Sequence, residues 1–132
     1  MITEDYVSFE TAKLLKEKGF NEEVICYYDD GGSLNLNKFV EFQCCNEGYG
    51  SDVFAAPTLQ ITMKWLREVH HLYIQVMLDS WACGGHMGYY VVIQNTISDF
   101  EMMLQDALDD VFYDTYEEAC EAAIKYCLDN LI

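Results

Sequence analysis

Residues 115–132 have the sequence TYEEACEAAIKYCLDNLI, which predicts an amphipathic helix that the rest of the fold packs against. Thr115 and Glu118 form a capping-box pattern, in which each side chain bonds a free amide at the start of a helix. The apolar residues then recur at helical spacing and define one face. That face consists of Tyr116, Ala119, Cys120, Ala123, Ile124, Cys127, Leu128 and Leu131. Its small members predict a close approach of the helix to a β-sheet.

Two earlier segments also carry helix signals. Ser8 is the expected N-cap of the first helix, because its oxygen can accept a hydrogen bond from a first-turn amide. Gly19 and Phe20 predict a Schellman ending, in which the glycine is left-handed. A second helix is predicted from Thr58 to His70, where a histidine cation would interact favourably with the helix dipole. The buried face of this second helix is expected to comprise Leu59, Thr62, Leu66 and Val69.

Four segments favour β-strands. Residues 72–79 alternate between two faces, and residues 89–94 are rich in β-formers. Residues 23–29 and 39–45 predict two further strands. The core side of the first segment should carry Leu72, Ile74, Val76 and Leu78. The other side is not polar, since it would present Tyr73, Met77, Tyr90 and Val92, and we expect something to cover or bind it.

A fourth helix is predicted over residues 98–111 as that cover. Ser98 and Glu101 form a second capping-box pattern, and apolar residues follow at helical spacing. Asp109 and Asp110 would lie unfavourably at the negative end of its dipole, so a short strand at 111–113 is an alternative. The expected fold is an α+β domain over residues 1–132. A small antiparallel sheet of three to four strands is packed by three helices, and the fourth helix (about 98–111) lies on the second face or rim.

The charge balance limits the kinds of partner that the protein can bind. The 132 residues contain 23 acids and 7 bases, a formal net charge of −16. Direct binding to nucleic acid is disfavoured, because an acidic protein is repelled by the phosphate backbone. Residues 68–132 hold twelve acids and a single base, Lys125. This half should produce a negative field that attracts a basic protein partner.

The location of the protein is inferred from missing signals and from its cysteines. The N-terminal MITED has no apolar signal region, and no stretch approaches the roughly 18 apolar residues of a membrane span. A membrane partner is therefore not expected. The six cysteines are expected to be reduced thiols of a cytoplasmic protein.

Two blocks, APTLQITMKWLREVH (56–70) and DTYEEACEAAIKYCLDNLI (114–132), resemble a family of small hypothetical proteins from gut Bacteroidales bacteria, their phages and mobile elements. The block YVSFETAKLLKEKGF (6–20) is similar to the same group. The resemblance implies a bacterial or phage-borne intracellular protein. Residues 96–113 are longer here than in typical members. No catalytic residue is carried over with the resemblance.

Candidate metal and thiol sites centre on the loop at residues 80–88. Cys83 and His86 have the C-x-x-H spacing of zinc ligands, and a tetrahedral site would need Cys44 and Cys45, or His70 and His71, to complete it. No second spaced pair exists, and adjacent cysteines are poor joint ligands, so no metal and no cofactor are expected. A thiolate at Cys83 activated by a histidine lacks an orienting third group. A small metal-binding or thiol-dependent enzyme using this loop remains the alternative function.

The favoured function is a non-enzymatic, acidic protein-interaction module of phage or mobile-element origin that binds a basic host protein. Its surface would imitate a nucleic-acid backbone or dock on a basic enzyme. A homodimer built on the face of Tyr73 and Tyr90 is a further option. The candidate partner-binding residues are Tyr73, Tyr90, Asp106, Asp109, Asp110, Glu117 and Glu121.

Overall fold

The computed structural model describes residues 1–36, 45–48, 50–79, 88–108 and 112–132. The chain divides into two compact units, residues 1–59 and 60–132. Each unit contains one three-stranded antiparallel sheet, which confirms the expected α+β class but gives two sheets where the sequence predicted one. Strands close in sequence pair with one another in each unit, as short connections favour. That the two units form a single domain over 1–132 stays a prediction.

The first unit combines one helix with a sheet of very short strands. Its elements are α1 (Phe9–Glu17), β1 (Cys26–Tyr28), β2 (Leu34–Leu36), a 3₁₀ turn (Asn46–Gly48) and β3 (Phe54–Ala55). The strand order is β2-β1-β3. Strand β1 lies within the predicted segment 23–29. Most of the other predicted strand, residues 39–44, lies outside the described residues, and the partner observed after the Asp29 turn is β2.

Both ends of α1 form as the sequence predicts. The Ser8 hydroxyl accepts a hydrogen bond from the Thr11 amide at 3.2 Å. Gly19 has a φ of 90°, and the Phe20 amide donates to the Leu15 carbonyl at 2.9 Å. This is the Schellman geometry, and it places the fully buried Phe20 ring under the end of the helix.

The second unit places helices around a longer sheet. Its elements are α2 (Leu59–His70, whose first residue ends the first unit), β4 (Leu72–Asp79), β5 (Gly88–Asn95), β6 (Glu101–Met103), α3 (Leu104–Ala107) and α4 (Tyr116–Asn130). The strand order is β4-β5-β6. On α2, Leu59, Thr62 and Leu66 are buried as expected, but Val69 is exposed.

Helix α4 packs on β4 and β5. The Thr115 hydroxyl accepts a hydrogen bond from the Glu118 amide at 3.1 Å, which confirms the predicted start of the helix. Across the strands, Ile74 lies opposite Ile93 and Val76 lies opposite Val91, so one side of the sheet is apolar. Leu78, which was expected on this side in the core, is exposed instead. The fully buried residues of α4 are Ala119, Cys120, Ala123, Ile124, Cys127 and Leu128.

The helix predicted over residues 98–111 is corrected by the structure. Glu101–Met103 forms β6, and only Leu104–Ala107 is helical among the described residues of this segment. The Asn95 amide donates to the Phe100 carbonyl at 3.0 Å and closes a hairpin turn between β5 and β6. Pairing with β5 satisfies the strand's backbone groups without a helix that would end on two aspartates. Ser98 therefore lies in a turn, where its hydroxyl accepts from the Phe100 amide at 3.4 Å.

Candidate functional site

One side of the second unit's sheet carries apolar and polar side chains that the core does not use. Alternation along the strands places these residues opposite to the buried Leu72, Ile74, Val91 and Ile93. The cross-strand register aligns Tyr73 with Gln94 and Glu101, Gln75 with Val92 and Met103, and Met77 with Tyr90. We call this surface the open face: Tyr73, Gln75, Met77, Tyr90, Val92, Gln94, Glu101 and Met103.

Three apolar side chains of the open face are exposed, while Tyr90 and Val92 are half-buried. Tyr73 is 41% exposed, Met77 43% and Met103 36%. Ile74, which lies between Tyr73 and Met77 on β4 but faces the core, is only 8% exposed. The sequence predicted a helix as the cover for this side. The chain instead adds β6, which widens the surface by a third strand. Exposed apolar residues grouped on one face of a sheet mark a contact site more often than isolated ones do.

Polar side chains connect the three strands across the open face. The Gln75 amide nitrogen donates a hydrogen bond to the side-chain oxygen of Gln94. The Gln94 amide nitrogen in turn donates to the Glu101 carboxylate at 3.1 Å. This row places Glu101 on the same side of the sheet as the exposed Tyr73 and Met103 side chains. The surface therefore presents a negative charge at a defined position next to apolar groups.

A shallow groove lies at the end of the open face, beside the β5–β6 turn. Its volume is about 370 Å³. Hydrogen bonds shape the turn: the Asn95 side-chain oxygen accepts from the Ile97 amide at 2.9 Å, and the Thr96 amide donates to the His71 carbonyl at 2.8 Å. The groove is lined by Tyr73, Gln94, Asn95, Thr96, Ser98, Asp99, Phe100 and Glu101.

The electrostatics of the groove are negative. Two acidic residues, Asp99 and Glu101, line it, and among the described residues no lysine, arginine or histidine does. Elsewhere in this unit, on α2, Lys64 and Glu68 form an ion pair at 4.0 Å. The aromatic rings of Tyr73 and Phe100 lie in the same lining as the two acids. Such a mixture suits the cationic end and the aliphatic stem of a basic side chain.

The structure brings together only some of the partner-binding residues predicted from the sequence. Tyr73 and Tyr90 share the open face, Tyr73 exposed and Tyr90 half-buried. Asp106 is exposed on α3. Glu117 and Glu121 belong to α4, which packs on the opposite side of the sheet, so they do not extend the open face. The remaining candidates, Asp109, Asp110, Cys83 and His86, lie outside the described residues.

Cys120 and Cys127 are buried on α4 and are not activated thiols. Burial raises the pKa of Cys120 to about 11 and the pKa of Cys127 to about 12, so both are protonated at neutral pH. A reactive cysteine requires the opposite shift. Their predicted role as small buried hydrophobes is confirmed. Within the ranges that the structure describes, no three histidine, cysteine or acidic side chains cluster in a way that could hold a metal ion.

His70 departs from its expected role as a charged helix cap. Its ring lies 4.6 Å from the Trp65 ring, centroid to centroid, in an edge-on arrangement. Burial, and secondarily the neighbouring His71, lower the pKa of His70, which favours the neutral imidazole. His71 makes the turn from helix to strand with a φ of 59°.

Sequence reasoning missed the groove because it assigned Asp99, Phe100 and Glu101 to a helix. The segment NTISD (95–99) is a cluster of turn-forming residues directly after a strong strand, which is a hairpin signal. That signal competed with the capping-box pattern at Ser98 and was the better guide. The polar row through Gln94 depends on cross-strand register, which the sequence did not supply.

Comparison of the chain with protein-family models, with curated proteins and with solved structures gives no match. The resemblance to the Bacteroidales family therefore stays a prediction, and so does the cytoplasmic location. In the parts of the chain that the structure describes, no helix has both the length and the apolar composition needed to cross a lipid bilayer.

Proposed function

We propose that this protein is a non-enzymatic interaction module whose open face binds a basic protein partner. The observation that carries the proposal is the exposed Tyr73, Met77 and Met103 surface, with the Glu101 carboxylate hydrogen-bonded to Gln94 on the same side of the sheet. Aromatic residues and methionine are enriched in protein interfaces. The origin of the protein in a phage or mobile element, and its action in the bacterial cytoplasm, belong to the same proposal.

The charge of the chain favours a basic partner over a second copy of the protein. Each chain carries a formal net charge of −16, so two copies repel one another as they approach. A homodimer on the open face would also bring the Glu101 carboxylates of both copies to one interface. A basic surface meets neither penalty, and its association is accelerated by long-range attraction at low salt.

The experiment is retention of proteins from a lysate of the native host on the immobilised full chain, followed by a salt step. The open-face variant carries Tyr73→Ser, Met77→Ser and Met103→Ser. The matched control carries Leu34→Ser and Leu36→Ser, which remove two exposed strand leucines of the first unit. We expect the wild type and the control to retain one basic protein and the open-face variant to lose it.

Salt distinguishes this contact from general stickiness. Charge attraction at the surface is largely screened by about 0.5 M salt, so the retained protein should elute in that range. Equal retention by the wild type and the open-face variant would show that the contact lies elsewhere. Retention of an acidic protein would remove the electrostatic basis of the proposal.

A further inference from the structure

We infer that the groove beside the β5–β6 turn binds one arginine side chain of the basic partner. This inference rests on the proposed function, because it assigns a recognition chemistry to one end of the open face. The residues that line the groove carry three kinds of group that a guanidinium can use: the carboxylates of Asp99 and Glu101, the side-chain oxygen of Asn95, and the rings of Tyr73 and Phe100. In the part of the chain that the structure describes, no basic residue lines the groove to compete with the incoming cation.

The shape and chemistry of the groove favour arginine over lysine. A guanidinium is planar, so one face can stack on an aromatic ring while its edge donates hydrogen bonds to carboxylates. The ammonium group of lysine is more strongly hydrated than a guanidinium, so it loses more favourable hydration when it binds in the groove. The volume of about 370 Å³ lies at the small end of ligand sites, which suits one long side chain rather than a folded segment.

The groove is also held in shape before binding. The Asn95 amide and side chain both bond within the turn, to the Phe100 carbonyl at 3.0 Å and from the Ile97 amide at 2.9 Å. The Glu101 carboxylate accepts a hydrogen bond from Gln94 at 3.1 Å. The backbone of the turn therefore needs little further ordering on binding, and such preorganisation strengthens association.

The test is calorimetric titration of the full chain with two probe peptides, hexa-arginine and hexalysine, at low salt. We expect hexa-arginine to bind several-fold more tightly than hexalysine. Phe100→Ala should weaken hexa-arginine roughly three- to fivefold by removing the ring, and hexalysine less. Glu101→Gln should weaken hexa-arginine about tenfold, because it turns a charge-assisted bond into a neutral one.

The matched control is Asp106→Asn, which also removes one carboxylate but does not line the groove. It should weaken both peptides equally and by less than Glu101→Gln does. Circular dichroism verifies that each variant folds like the wild type.

The outcomes separate this inference from the proposed function. If Glu101→Gln, Phe100→Ala and Asp106→Asn all have the same effect, binding is diffuse and the arginine site is refuted, while the proposed function survives. Equal affinity for the two peptides refutes the arginine preference in the same way. If neither peptide binds the wild type at low salt, the groove inference fails. The proposed function is then judged on the open-face variant alone.

Discussion

The difference between the two sides of β4 can be measured with a pair of neighbouring substitutions. Ile74→Ala truncates a side chain that is 8% exposed and lies opposite Ile93 in the core. Tyr73→Ala truncates the preceding side chain, which is 41% exposed and belongs to the open face. Both changes replace a strong strand former by the same residue, so the loss of strand propensity is matched.

The two substitutions should lower the free energy of unfolding by different amounts, because one side chain is buried and the other is exposed. Truncating a buried isoleucine to alanine costs about 2–5 kcal/mol, because apolar contacts are lost and a cavity remains. Tyr73 has a cross-strand partner in Gln94, and such a pair contributes roughly 0.2–1 kcal/mol. The free energy of unfolding falls by about 2 kcal/mol per molar urea for a chain of this size. The urea concentration at the unfolding midpoint should therefore fall by about 1–2.5 M for Ile74→Ala and by at most about 0.5 M for Tyr73→Ala.

Urea unfolding followed by far-ultraviolet circular dichroism measures both midpoints. The reasoning is refuted if Tyr73→Ala lowers the midpoint as much as Ile74→Ala does. That result would mean that the Tyr73 ring is packed in solution, and the open face would then be part of the core rather than a surface for a partner.

Three further predictions concern particular side chains. Gly19→Ala should lower the free energy of unfolding by about 1–2 kcal/mol, because alanine is strained at a φ of 90°; Ser8→Gly, which keeps a tolerated cap, should cost only a few tenths. Because the folded-state pKa of His70 lies below its usual 6.5, the unfolded state binds the proton first. The stability that neutral His70 contributes is fully present above about pH 6.5 and is lost as the pH falls through the lower pKa of the folded state. His70→Phe, which keeps a ring beside Trp65, should therefore reduce the drop in melting temperature between pH 7.5 and 5.5. If the drop is unchanged, titration of other groups causes it. Iodoacetamide should label Cys120 and Cys127 only in denaturant, as read by peptide mass spectrometry, since burial raises both pKa values; rapid native labelling would contradict their burial.

Local signals explain which parts of the fold were predictable. The Thr115 cap and the Schellman ending at Gly19 depend on neighbouring residues, and both form as predicted. The hairpin of β4 and β5 follows from strict alternation, which also placed Tyr73 on the side away from the core. For the two helix ends, the sequence contains the interacting groups within a few residues of one another; for the hairpin, it contains the alternation that places each side chain on one face.

Two kinds of feature were not predictable: segments that carry both a helix signal and a strand signal, and contacts that depend on which strands pair. Ser98 and Glu101 satisfy a helix-capping pattern, but β5 offers Glu101 a backbone partner that a local pattern does not reveal. The same limit applies to the division into two sheets, since strand propensity does not say which strands pair. The groove was missed for both reasons, because its acids and rings converge only when residues 95–100 form the turn.

Methionine methyl groups give the most direct test of the open face as the partner-binding surface. The full chain is labelled with ¹³C-methyl methionine and titrated with the basic protein retained from the host lysate, and the methyl signals are followed by NMR. Met77 and Met103 are exposed on the open face, whereas Met63 on α2 is 8% exposed and serves as an internal control. We expect the Met77 and Met103 signals to shift or broaden on binding and the Met63 signal to stay unchanged. Unchanged Met77 and Met103 signals in a saturated complex would contradict binding through the open face.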